Sequence, residues 1–599
     1  MSTKKMAVAK FYGDGAWKDM KSLGLHVLVG RWFMAFASFL IMSFAGAVYL
    51  FGLYSNDVKS SLGYDQSTLN LLSFSRDTGG NVGVISGLIN EVMPPWVVVA
   101  IGAVTSFVGY FMIWLSITGR VAKPHVWQMC LYTAIGANSQ TYVLTGVVVT
   151  CVRNFPARRG LVLGVLTGYV GLSGAIITQL YHAFFGDNSK SLILLIALLL
   201  TSVSFAFLPA IRVMKVVQQA NEVKILHNFL FVSLGLAGFL MAVIILQNWY
   251  NFSRIEHAVS AAVVIFLVLL PLAIVIKEES NLWESKKQAL HNGTTQVTTE
   301  NAPAVKSTYS TAPPEATPPV EPPPQPSLQK KSDSCFNNTF KPPNRGEDYT
   351  TMQALVSIDM ILIFITMACG LGGTLAVIDN LGQIGKSLAY PDDSMATFVS
   401  LVSIWNYFGR VVAGFGSEIL LTKYQIPRPL ILTLVLLVSC VGHLFIAFAV
   451  PSSLYFSSVI IGFCLGAQWP LMFAIISDLF GLKYYSSIVN FATIASPIGS
   501  YALNVKVVGY LYDKEALKQM AALGLARKVG EDLNCTGERC YRLSLFIITA
   551  VTLFGFVVSS ILVLRTRKFY TGDIYKQFRT AAKAPDNEMA SAGNGNAHH

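Results

Sequence analysis

RWFMAFASFLIMSFAGAVYLFGLYS, residues 31–55, contains no charged side chain after Arg31. An α-helix needs about twenty apolar residues to cross roughly 30 Å of hydrocarbon, so this stretch reads as a membrane span. It is too long for a secretory signal and has no cleavable look, so it is read as a retained first span. Lys4, Lys5, Lys10, Lys18 and Lys21 precede it and place the N-terminus on the cytosolic side.

The same pattern recurs along the chain. Candidate spans cover 67–90, 96–118, 126–152, 161–185 and 191–214, giving six with the first, and 230–250 and 258–276 add a pair. Six more follow at 355–378, 396–421, 430–450, 454–479, 485–511 and 543–564, for about fourteen in all. The expected fold is therefore all-α and membrane-embedded. Period-two alternation is absent, which excludes a β-barrel wall.

Composition agrees. Hydrophobic residues make up 53% of the 599, charged residues only 13%, and the mean hydropathy is +0.53, whereas soluble domains carry about 25% charged residues. The formal charge of +12 comes from Lys and Arg in the loops beside apolar runs. That placement is the signature of membrane orientation rather than a nucleic-acid face. The segments 153–160, 212–224, 423–428 and 565–568 all fall on one side, the cytosolic one.

Two sequons, at Asn251 and Asn534, then lie on the opposite side and are glycosylation candidates, whereas Asn292 and Asn337 lie on the cytosolic side. Four cysteines (Cys130, Cys369, Cys440, Cys464) sit inside apolar spans as small hydrophobes. Cys535 and Cys540, in the polar loop "NCTGERC", read as a local disulfide or as two free thiols.

Between Glu278 and about Tyr349 the chain turns polar and Pro-rich, including "EATPPVEPPPQPS", and such a segment is expected to be extended or disordered. The expected organisation is a cytosolic segment (1–30), a six-helix bundle (31–214), a two-helix insertion (215–277), the linker (278–350), a second six-helix bundle (351–565) and a cytosolic tail (566–599).

Internal similarity links the two bundles. The second span ends "GLINE", Gly87 to Glu91, and the corresponding span of the second half ends "GFGSE", Gly414 to Glu418. Glycine permits close helix approach and the carboxylate can cap or pair with a neighbour. The fourth spans also share Gly136-Ala137-Asn138 and Gly466-Ala467-Gln468.

The twofold six-span plan and the Gly-x-x-x-acid motif resemble the major facilitator superfamily. The stretches "FMAFASFLIMSFAGAVYLFGLYS", "NEVMPPWVV", "RNFPARRGLVLG", "SIWNYFGRVVAGFGSE" and "CTGERC" are similar to its plant nodulin-like, nuclear-fusion-defective branch. The basic residues that usually follow the acid of the first-half motif are replaced here by "VMPPW". The resemblance implies two six-helix bundles that rock about a central site, with Gly87, Glu91, Gly414 and Glu418 as gating motifs.

Ionisable groups at bilayer depth mark cavities or pairs. Arg76 and Asp77 lie mid-way along the second span, Asp359 near the start of the first span after the linker, Arg410 mid-way along 396–421, and Lys506 late in 485–511. "NYFGRVVAG" sets Asn406, Arg410 and Gly414 on one helical face around a permanent guanidinium. This arrangement resembles the Asp-x-x-x-Arg-x-x-x-Gly of monocarboxylate transporters, with Asn406 in place of the acid. Arg410 with Lys506 resembles the two-cation carboxylate site of oxalate–formate exchangers.

The solute-binding candidates are thus Arg76, Arg410, Asn406 and Lys506, joined by the amides of Asn138, Gln140 and Gln468. Asp77 and Asp359 are the candidate proton carriers. Each has a structural alternative: a buried pair for Arg410, a local ion pair for Arg76 and Asp77, a wetted cytosolic end for Asp359, snorkelling for Lys506 and interhelical bonding for the amides.

No nucleotide-binding, zinc-protease or serine-hydrolase signature is present, so the chain does not read as an enzyme, and neither a metal site nor a cofactor is expected. The expected function is secondary transport of a small solute, an organic carboxylate anion, by alternating access with protons as the candidate coupling ion. The alternatives are a membrane sensor or scaffold whose linker recruits a partner protein, and a carrier of neutral solutes or metal chelates. The expected location is the plasma membrane, with other secretory-pathway membranes as alternatives.

Overall fold

In hydrocarbon every backbone N–H and C=O has to be paired within its own segment, and the chain meets this requirement with helices. The computed structural model describes residues 14–64, 66–186, 189–214, 221–250, 252–297, 342–391, 393–522, 524 and 535–572, and among them there is no strand.

The first half begins with α1 (Asp14–Val29), α2 (Arg31–Met42) and α3 (Phe51–Leu62). It continues through α4 (Gln66–Asn81), α5 (Val84–Val92), α6 (Pro95–Ile117), α7 (Val126–Asn154), α8 (Arg159–Phe185) and α9 (Ser189–Phe207). An inserted pair follows: α10 (Glu222–Trp249), then α11 (Arg254–Leu269) running into α12 (Pro271–Val297). The second half holds α13 (Thr351–Leu355), α14 (Ile358–Asp379), α15 (Leu381–Ser387), α16 (Asp393–Tyr424), α17 (Arg428–Ala447), α18 (Ser453–Phe480), α19 (Tyr485–Thr493) and α20 (Ala495–Ser500). A π-helical segment, Tyr501–Gly509, then leads into α21 (Tyr510–Ala522), and α22 (Arg539–Tyr570) closes the bundle.

Among the described residues, eleven helices are long and apolar enough to cross a membrane, or up to twelve when the bent pair α1–α2 is counted as one span. The expected count of fourteen is not reached. The difference lies in three segments, 31–54, 67–90 and 485–511, which are divided among shorter helices. The first is interrupted between Met42 and Ala47, the second at Val82–Gly83, and the third turns π-helical after Ser500. The architecture is all-helical, as expected, with an inserted pair between the two halves.

Glycine sets the contact between the halves. On Gly414 of α16 a Cβ would lie 2.4 Å from the Cα of Gly164 on α8, and on Gly168 a Cβ would lie 3.2 Å from the ring of Tyr407. Bare backbone therefore meets bare backbone along α8 and α16. The inserted pair packs on α8 through Gln179, whose Nε2 donates to Gln247 at 3.0 Å and whose Oε1 accepts from Ser260 at 2.9 Å. It also reaches the second half, where the Tyr407 hydroxyl donates to Ser233 at 2.8 Å.

The segment expected to be an extended linker departs from that expectation at both described ends. α12 stays helical to Val297, because Glu279 is buried and accepts the Trp32 N–H at 3.2 Å, which fixes the helix beyond the apolar run. Residues 342–350 form a strap beneath the second half. Residues 298–341, with most of the Pro-rich sequence, lie outside the described residues, as do Asn251 and Asn534. Cys535 and Cys540 are joined by a disulfide, with their Cα atoms 5.9 Å apart.

Candidate functional site

Gly79, Gly80 and Gly83 crowd the junction of α4 and α5, and glycine is a poor helix former. The span breaks there and frees backbone carbonyls inside the bundle. Asn138 of α7 satisfies two of them, its Nδ2 donating to Gly79 at 2.7 Å and to Val82 at 2.8 Å. Thr493 of the second half donates its hydroxyl to Asn81 at 3.3 Å. The break is thus held from both halves.

One turn before the break, Arg76 pairs with Asp77, Nε to Oδ1 at 2.9 Å, and its guanidinium carbon lies 4.9 Å from the ring centroid of Phe51. Across the seam, Asp379 ends α14 and accepts from Asn504 Nδ2 at 3.0 Å, while Asn504 Oδ1 accepts from Asn380 Nδ2 at 2.6 Å. The π-helical turn places Asn504 at this position. Asp379 stands within electrostatic reach of both Arg76 and Asp77. Tyr54 is also within reach of Arg76, and its buried hydroxyl has no hydrogen-bond partner among the described residues.

Water reaches this cluster. Asp379 is exposed and the Asp77 side chain is 36% exposed, although both belong to helices packed within the bundle. Phe74 and Tyr501, with ring centroids 5.8 Å apart, bridge the halves beside it. The arrangement is a guanidinium paired with a carboxylate of its own half and within electrostatic reach of a second from the other half. Such a group can exchange ion-pair partners when a proton or a charged solute arrives.

At the end that carries the basic loops, the halves are latched. Arg159 of α8 pairs with Asp478 of α18 at 2.6 Å, and both side chains are almost fully buried. Asp478 also pairs with Arg428 at 2.8 Å and accepts the Tyr570 hydroxyl at 3.1 Å. Glu418 completes the network by pairing with Arg428 and accepting the Gly160 N–H at 3.2 Å.

The first-half motif occupies the matching seam. Gly87 of α5 abuts α19, where a Cβ would lie 2.9 Å from the Ser486 carbonyl oxygen, and the Ser486 hydroxyl donates to Gly87 O at 3.1 Å. Asn490 Nδ2 donates to Thr145 at 2.9 Å below it. Glu91 stands near Arg153 of α7, whose Nη2 donates to the carbonyls of Leu482 at 3.3 Å and Lys483 at 2.8 Å in the α18–α19 turn. The repeated Gly-x-x-x-Glu motifs therefore lie at two pseudo-equivalent contacts between the halves.

The strap reaches the same turn from below. Asp348 accepts the N–H groups of Leu482 at 2.9 Å and Lys483 at 3.0 Å. Arg345 bonds to Asp359 at 2.7 Å, and Arg565 bonds to the other oxygen of that carboxylate at 2.8 Å.

Several residues singled out from the sequence lie apart from the wetted cluster. Arg410 is buried between α16 and α8, where it donates to Asn406 Oδ1 at 2.7 Å and to the Thr167 carbonyl at 3.2 Å. Lys506 is exposed, with its ammonium 5.5 Å from the Tyr501 ring, in contrast to the buried Arg410. Asp359 is tied to two arginines at the basic end, and the carboxylate that faces Arg76 from the second half is Asp379.

Gln468 lies within the second bundle against Gly370, its Nε2 donating to Cys464 O at 3.1 Å. The Gln140 Oε1 is buried with no partner among the described residues. Sequence reading missed Asp379, Asn504, Arg159, Arg428 and Asp478. "RNFPARRG" carried a signal for Arg159, whereas Asp379 stood at the end of an apolar run and read as a span boundary.

Residues 31–276 match the Nodulin-like family, and residues 347–572 match the family described as NFD4, C-terminal domain. The chain is 24% identical over 562 residues to Protein NUCLEAR FUSION DEFECTIVE 4 of Arabidopsis thaliana, covering 91% of each chain. It is 25% identical over 236 residues to a Yarrowia lipolytica protein named "Probable transporter MCH1", a stretch that covers 38% of this chain and 46% of that one. Among solved structures, the proton:xylose symporter XylE bound to 6-bromo-6-deoxy-D-glucose aligns with a TM-score of 0.48 at 12% identity, covering 90% of this chain and 95% of that one.

Proposed function

We propose that this chain, whose halves match the Nodulin-like family and the family described as NFD4, C-terminal domain, is a proton-coupled carrier of a small organic anion. The observation that carries this reading is the placement of Arg76, ion-paired with Asp77 of its own half and facing Asp379 of the other. With both acids ionised, the cluster carries a net charge of −1 and repels a carboxylate solute. A proton on Asp77 brings the cluster to neutrality and frees Arg76 from its ion-pair partner, so the guanidinium can take the solute carboxylate in its place.

Proton and anion then occupy the recess together, which couples their movement. The described arrangement is latched at the basic end, the cytosolic side by the positive-inside rule, so solute enters this conformation from the opposite side. Release requires Arg159–Asp478 and the Gly87 and Gly414 contacts to part as the bundles rock. Arg410 holds the α8–α16 seam in this scheme, and the solute cation is Arg76. The plasma membrane is the proposed location.

The test is uptake into liposomes holding the purified protein, with an imposed inside-alkaline gradient and a panel of mono- and dicarboxylates alongside neutral polyols. Carboxylate uptake that rises with the proton gradient and is lost in R76Q supports the proposal. Uptake of neutral solutes alone contradicts it.

A second reading gives the linker a signalling role. It is supported by Asp348, which accepts the N–H groups of the same two α18–α19 turn residues whose carbonyls receive Arg153, so tension on the strap bears on that contact. Deleting residues 298–341 distinguishes the readings: uptake persists in a carrier, whereas a linker-dependent scaffold loses its partner.

A further inference from the structure

A groove of about 400 Å³ lies between α10 and α12 at the basic end, away from the transport recess. Asn221, Lys224 and Asn228 enter it from α10 at steps of three and four residues, hence from one helical face. Lys277 and Asn281 enter from α12, with Ala273 and Ile274 lining the groove and Glu278 on its border. Among the described residues, the side chains of Lys224, Asn228 and Lys277 form no hydrogen bond or ion pair.

The setting is the bilayer boundary. Ile276 beside Lys277 is 48% exposed, and Phe231 on α10 is 64% exposed, so apolar side chains face lipid next to a basic, amide-rich hollow. Two lysines at this level attract anionic headgroups, and basic hollows between transmembrane helices on the cytosolic side suit lipid phosphates. Asparagine amides add donors for phosphate oxygens, and the Glu278 carboxylate can accept from headgroup hydroxyls.

We propose that this groove binds the headgroup of an anionic phospholipid, with Lys224 and Lys277 on the phosphate and Asn228, Asn281 and Glu278 on a polyol such as inositol. The lipid then ties the inserted pair to the cytosolic leaflet. This inference stands on α10 and α12 alone and is independent of the transported solute.

The experiment measures binding of dioctanoyl phosphatidylinositol to the full-length protein in detergent, with dioctanoyl phosphatidylcholine and inositol 1-phosphate as the other arms. Saturable binding is expected for phosphatidylinositol and at least roughly tenfold weaker binding for phosphatidylcholine. The double substitution K224Q/K277Q should weaken phosphatidylinositol binding roughly tenfold or more, A273W should block it by filling the groove with both charges kept, and K423Q should leave it unchanged. Equal binding of the two lipids, or unaltered binding by both groove variants, overturns the proposal. Inositol 1-phosphate binding as tightly as the lipid also overturns it, by assigning the groove to a soluble phosphate.

Discussion

Asp478 and Arg159 form a buried ion pair that crosses from one half of the molecule to the other, with nitrogen and oxygen 2.6 Å apart. Because Arg428 and the Tyr570 hydroxyl also converge on Asp478, this carboxylate balances charge on both sides of the seam. Removing one partner of a buried pair costs about 3–5 kcal/mol, since the other charge is left desolvated. D478N removes the carboxylate that Arg159 and Arg428 share and leaves Arg428 with Glu418, whereas R159Q leaves Asp478 paired with Arg428. Thermal unfolding of the purified variants should show D478N as the more destabilised, and equal losses would contradict this division of roles.

The glycine contacts make a sharper distinction within one helix. Gly414 has backbone 2.4 Å from its would-be Cβ, whereas nothing lies within 4 Å of a Cβ on Gly416. G414A must push α16 away from α8, an overpacking cost of roughly 1–3 kcal/mol. G416A meets open space. The melting temperature should fall for the first and hold for the second.

Asn138 was singled out from the sequence as a solute ligand, and it caps the broken second span instead. N138L removes the donor from the Gly79 and Val82 carbonyls, and leaving the acceptor of the buried Gly79 unsatisfied costs about 1–3 kcal/mol. Hydrogen exchange of the amides around 79–87 should accelerate. Unchanged exchange together with weakened solute binding would return Asn138 to a ligand role.

The strap gives a local prediction. D348A removes the acceptor for the Leu482 and Lys483 N–H groups, so those two amides should exchange faster with solvent. The turn holding them also carries the carbonyls that receive Arg153. The Arg153 contact should loosen with it, read as faster alkylation of a cysteine placed at Glu91 in the D348A background.

The architecture was legible because apolar runs of span length follow from hydrocarbon thickness. The Gly87–Glu91 and Gly414–Glu418 repeat was legible because small residues are required wherever two backbones meet. The three divided spans were not, since hydropathy averages over a window and is blind to a turn at Val82–Gly83 or a π segment at Tyr501. Asp379 escaped for a related reason: at the end of a run a carboxylate reads as a boundary, and only the fold brings it within electrostatic reach of Arg76. Arg410 attracted attention by its depth and by the Asn406–Arg410–Gly414 face, and the structure has it donating to Asn406 and to the Thr167 backbone carbonyl.

The central claim is that Arg76 is the solute cation and is released by protonation of the acids around it. Its most direct test is proton-driven carboxylate uptake in liposomes by wild-type protein, R76Q, R76K, D379N and R410Q. The account predicts loss of uptake in R76Q and partial retention in R76K. In D379N it predicts carboxylate binding that no longer depends on pH in the way wild-type binding does, and in R410Q lowered stability with the residual folded protein still transporting. Full uptake in R76Q, or wild-type pH dependence in D379N, would contradict it.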